Sequence, residues 1–169
     1  MDILQLVWFG CLGGIAALGF AMLFNVPKRT LIYIFFLGCL GIVVKKLILF
    51  TGFEIFFASF AAATLIGVFS MFVAHRGHAP PLVFSIPSVI PLVPGSYFYK
   101  FMIGVIELIG VEGTGFTTIF NETVNNGLSA IFVIMGLSVG VSLPNLIFRK
   151  ESFHETSFFK MVKKKNKQE

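Results

Sequence analysis

The chain has 169 residues, 56% hydrophobic and only 12% charged, with 22 phenylalanines and a formal net charge of +5. Its mean hydropathy of +0.91 excludes an ordinary soluble domain, because so few charges cannot cover that much apolar surface in water. An all-α integral membrane protein is expected, since apolar runs of about 20 residues cross the hydrocarbon core as helices.

Residues 3–24 form the first expected span. The run is too long for a signal-peptide core and lacks a basic start and a small-residue cleavage pattern, so it is expected to remain in the protein. Gly10, Gly13, Gly14, Ala17 and Ala21 make a small-residue stripe on which a second helix can pack closely. Pro27 is expected to stop this helix, and Thr30 to cap the next.

The second span covers 31–50 and carries Lys45 and Lys46 near its end. A lysine there can snorkel to the interface, but adjacent residues point about 100° apart on a helix. The pair therefore leaves open that one of them faces the interior and marks a pathway. A third span, 53–74, places Ser59, Ala63, Gly67 and Ser70 near one face, as packing residues. His75 and His78 follow in a polar loop with no third ligand close in sequence, and no metal is expected. Cys11 and Cys39 are read as small packing residues.

The stretch 80–100, PPLVFSIPSVIPLVPGSYFYK, is the most informative. Pro80, Pro81, Pro87, Pro91 and Pro94 forbid a clean continuous helix, yet no charge appears before Lys100. Irregular backbone at membrane depth survives only where protein buries it or it lines a watery cavity. The expectation is a fourth span over 82–110, broken near Pro91 to Pro94 and resuming as a helix from Gly95. A polar loop at 112–126 and a fifth span at 127–148 follow, with Gly136 and Gly140 as a second small-residue device. Residues 151–169 form a basic tail beyond a membrane domain of 1–150.

Five crossings place Lys28, Arg29, Arg76, Arg149, Lys150, Lys160, Lys163, Lys164, Lys165 and Lys167 on one side, ten of the 13 Lys and Arg. That side is expected to be cytoplasmic and the N-terminus outside, in a multi-pass plasma-membrane protein. The positive charge is then a topology signal rather than a nucleic-acid footprint. An odd number of spans also means that a tandem copy would be inverted, the arrangement in which transporters bind substrate between repeats. The chain is accordingly read as half of an inverted-repeat transporter, needing a partner of opposite topology.

Three segments carry a family resemblance: GFAMLFNVP at 19–27, IPSVIPLVPGSYFYK at 86–100 and SVGVSLPNLIF at 138–148. They resemble the small membrane subunits of the threonine/serine exporter family, including the small subunit of two-component dicarboxylate (succinate) exporters. The resemblance implies export of small carboxylates, either hydroxy amino acids or dicarboxylates, with a larger partner subunit that carries a soluble domain.

The residues are compatible with that implication. Pro94 suits a first helical turn and Gly95 allows close approach, so N–H groups of Gly95, Ser96 and Tyr97 are expected at a positive helix end that favours a carboxylate. Ser88 and Ser96 are candidate donors, Pro91 and Pro94 shape the break, Tyr97 or Tyr99 is a candidate closure, and Lys100 a candidate counter-charge. The competing reading makes Pro94-Gly95 a plain helix start and the tyrosines an interface belt. Glu107, seven residues after Lys100 and on roughly the same face, is either a coupling carboxylate or a solvated outer residue. No cofactor is expected, and no nucleophile, base and orienting group occur together, so an enzyme is not expected. The alternative function is a structural subunit whose partner alone carries the substrate site.

Overall fold

The computed structural model describes residues 3–77, 79–110 and 114–148; the basic tail, Asp2, His78 and Glu112 lie outside the described residues. These form six helices: α1 (Ile3–Leu23), α2 (Leu31–Phe50), α3 (Ile55–Gly77), α4 (Pro81–Val89), α5 (Gly95–Gly110) and α6 (Thr114–Phe148). Four segments are long and apolar enough to cross a membrane: Ile3–Leu23, Lys28–Phe50, Ile55–Gly77 and Gly115–Pro144. The pair Pro81–Leu92 and Gly95–Gly110, bent by 51°, passes the same test together, which gives up to five spans among the described residues.

α1 ends on a backbone device rather than on Pro27. Asn25 adopts a left-handed conformation with φ 53°. Its N–H donates to Met22 O, and that of Val26 reaches back to Ala21 O, each at 3.0 Å. This pattern satisfies the last carbonyls of the helix. The expected Thr30 cap does not form: its hydroxyl donates back to Pro27 O at 2.8 Å, the same carbonyl that the Thr30 N–H reaches at 2.9 Å to close a short 3-10 turn over Lys28–Thr30.

The small-residue faces pack as their spacing predicts. Gly10, Gly13, Gly14, Ala17 and Ala21 are all buried. A Cβ on Gly38 of α2 would stand 2.7 Å from that of Ala17, so α1 and α2 touch nearly backbone to backbone. In lipid this matters because helices gain little from hiding apolar surface and associate through close packing. α3 uses the same device against α6, where a Cβ on Gly140 would lie 2.8 Å from Phe60 O and one on Gly67 2.9 Å from Val141 O.

α4 sits among α1, α2 and α3, whereas α5 packs mainly on α6. Phe84 anchors α4 in one buried cluster with Ala17, Ala21, Ile34, Leu37 and Ala74. Leu92 enters a second with Ala62, Ala63, Ile66, Val133, Leu137 and Val141. α5 leaves a broad apolar face open, with Ile106 64% and Ile109 85% exposed.

One boundary departs from expectation. The segment 112–126 was expected to be a polar loop before a helix starting at Gly127, but α6 already begins at Thr114. Polar side chains are tolerated in this first part where they line an open cleft or bond to their own helix. Thr123, for example, donates to Ile119 O at 2.7 Å, the i−4 bond a helical threonine makes to its own backbone. The same residue packs against Gly104, so α5 and α6 form a tight hairpin.

Candidate functional site

The site is built by the proline pattern of 80–100. Pro81 occupies the first turn of α4, where its missing N–H costs nothing. Pro87 lies inside α4, buried, and removes the donor that would have reached the preceding turn. A 3-10 turn over Ile90–Leu92 follows. Pro94 has no N–H to give Ile90 O, and the Val93 N–H takes that carbonyl instead at 3.0 Å. The chain then bends, and α5 resumes at Gly95.

At the start of α5 the Gly95 N–H donates to Val93 O at 2.9 Å, and Tyr97 N–H to Pro94 O at 3.1 Å. The expectation of three open N–H groups is therefore corrected: two are already bonded within the break. Among the described residues the Ser96 N–H has no backbone partner there. Gly95 and Ser96 are exposed, and a Cβ on Gly95 would meet nothing within 4 Å.

The predicted residues separate into three places. Ser88 is fully buried and donates to Phe84 O at 2.7 Å and to Ile34 O at 3.3 Å, so it ties α4 to α2. Pro91 is half-buried in the 3-10 turn and Pro94 is buried at the bend, while Tyr97 is half-buried in the first turn of α5. Tyr99, Lys100 and Glu107 instead line a cleft of ≈ 570 Å³ between α5 and α6. Lys100 and Glu107 thus share one face, as their spacing predicts.

That cleft also contains Glu122, Thr123, Asn125 and Asn126, which sequence reasoning assigned to a loop. Helical spacing was the available signal: Glu122, Asn125 and Asn126 fall at i, i+3 and i+4 and share a face once the segment is read as helix.

The two lysines of α2 diverge, as adjacent helical positions must. Lys45 is partly buried, and its ammonium donates to Leu92 O at 2.7 Å, directly at the break. Lys46 turns the other way, with its ammonium 4.0 Å from the centre of the Phe9 ring on α1, a cation–π contact.

Residues 10–147 match the family described as Threonine/Serine exporter, ThrE. The chain belongs to that family. Membership is consistent with a chain built of apolar, membrane-length helices. It is also 32% identical over 149 residues to an uncharacterized protein of Haemophilus influenzae, an alignment covering 88% of this chain and 49% of that relative. The chain therefore spans about half the length of the curated relative it matches. No solved structure matches it.

Proposed function

We propose that the chain is a membrane subunit of a secondary exporter of small carboxylates, amino acids of the threonine/serine kind or dicarboxylates, acting with a larger partner subunit that carries a soluble domain. The observation that carries this reading is the fourth span, bent by 51° between Leu92 and Gly95, with Gly95 and Ser96 exposed at the start of α5. Helices broken inside the membrane present polar backbone where transporters bind substrate. A positive helix end suits a carboxylate. The Ser96 N–H and hydroxyl are the donors offered there.

The cleft with Lys100, Glu107, Glu122, Asn125 and Asn126 supplies a polar vestibule beyond the break. Its charges of both signs suit a passing polar solute rather than lipid. With the basic loops on the cytoplasmic side, α4 enters from the cytoplasm, the break lies within the membrane, and α5 leads outward. Alternating access then needs a second half of opposite topology rocking against this one around the bound solute. The partner supplies it, and covers the open apolar face of α5.

The test is export of threonine, serine and succinate from cells carrying the partner with this chain, wild type or with Pro94→Ala, Ser96→Ala or Lys100→Ala. Ser96→Ala is expected to slow export while the complex still assembles. Variants that assemble normally and all export at the wild-type rate would refute the site and favour a purely structural subunit.

A further inference from the structure

The geometry points to Lys45 as the group that receives the substrate's negative charge at the break. This role rests on the exporter reading above and adds a residue that the proline-rich segment itself does not contain.

The bond from Lys45 to Leu92 O at 2.7 Å explains part of its placement. Pro94 bends the chain away, the Gly95 N–H is turned to Val93 O, and the Leu92 carbonyl needs another donor in a medium without water. A neutral side chain would meet that need. An ammonium brings a full charge into a membrane-spanning helix, which is costly unless an anion compensates it. Among the described residues no carboxylate pairs with Lys45. An ammonium has three donors, and Leu92 O occupies one. Two remain for a ligand without breaking the bond that holds the bend.

The surroundings place those donors usefully. Leu92 stands three residues before Gly95, a span of at most about 11 Å of chain. The cation and the exposed first turn of α5 therefore lie close enough to bracket one small carboxylate. A second feature is on the facing helix. Ser59 is fully buried, and its hydroxyl has no hydrogen-bond partner. A Cβ on Gly41 of α2 would lie 2.6 Å from the Ile66 side chain of α3, which registers the two helices. One turn along α2 from Gly41 is Lys45; two turns back along α3 from Ile66 is Ser59. Both lie on the facing stripes, within about one turn of the same depth. A partly buried cation with unspent donors and a buried hydroxyl with none of its capacity used thus occur near the one bent helix pair among the described residues.

Lys46 provides the internal control, because its ammonium rests on Phe9 of α1, away from the break. The experiment measures export of threonine, serine and succinate from proteoliposomes that hold the chain with the subunit that co-purifies from its membrane. Lys45→Gln is expected to raise the apparent KM by roughly tenfold or more, the scale of one charge-assisted hydrogen bond, while Lys46→Gln stays within about twofold of wild type. Addition of the best exported carboxylate should also raise the unfolding temperature of wild type and Lys46→Gln but not of Lys45→Gln, by the linkage of binding to stability. A Lys45→Gln protein with wild-type KM and a wild-type ligand-induced shift would overturn the role of Lys45 and leave the exporter reading intact. Wild-type protein exporting none of the three solutes would overturn both. Should Lys45→Gln fail to accumulate, Lys45→Cys in a background with Cys11→Ala and Cys39→Ala keeps the question open to measurement. Reaction with aminoethyl methanethiosulfonate, which restores an ammonium, should recover export, and equal recovery with the methyl reagent would refute a need for charge.

Discussion

Pro94→Ala tests whether proline chemistry itself makes the break. The substitution returns an N–H at position 94, whose helical acceptor is Ile90 O, now held by Val93 N–H at 3.0 Å. A proline inside a helix costs about 3 kcal/mol relative to alanine, so its removal shifts the balance toward a straight helix by roughly a hundredfold. The geometric consequence can be worked out. α4 with its 3-10 turn is about 20 Å long and α5 about 24 Å. Their ends lie about 40 Å apart when bent by 51° and about 44 Å apart when straight. Spin labels at Leu82 and Ile109, 50% and 85% exposed, would report this change by pulsed electron–electron resonance. An increase of about 4 Å with slowed export is expected, because straightening also offers Leu92 O a helical donor and releases Lys45. An unchanged distance in Pro94→Ala would show that packing around Leu92, and not Pro94, sets the bend.

Three further outcomes follow from packing and backbone geometry. Gly140→Leu should destabilise the α3–α6 pair by about 1–3 kcal/mol, since even its Cβ would stand 2.8 Å from Phe60 O, whereas Gly19→Leu, with nothing within 4 Å of an added Cβ, should leave detergent stability unchanged; thermal unfolding of the purified chain compares them. Asn25→Gly should be neutral to slightly stabilising and Asn25→Val destabilising by about 1–2 kcal/mol, because only the former suits φ 53°, again read by thermal unfolding. Ser88→Ala should lower stability by about 1 kcal/mol through loss of its bonds to Phe84 O and Ile34 O while leaving the KM for export unchanged, in contrast to Ser96→Ala.

The membrane class, the four uninterrupted apolar spans and the position of the break are legible in the chain itself. The apolar run lengths, the small-residue stripes and the prolines act locally: they set what each segment can do whatever surrounds it. The spacing of Lys100 and Glu107 likewise puts them on one face, the face that borders the cleft that they share. Local signals misled where a tertiary neighbour changed the balance. The threonines and asparagines of 114–126 look like a loop in isolation, yet become helix because α5 offers a packing surface and Thr123 satisfies its own hydroxyl. Ser88 and Ser96 look alike in the proline-rich segment; only the packing of α4 against α2 buries one, and only the bend exposes the other. Nor does any spacing in the sequence join Lys45 to Leu92. That bond depends on α2 running beside α4 and the 3-10 turn that follows it, so that a cation near the end of one helix meets a carbonyl that the bend has left without a helical donor.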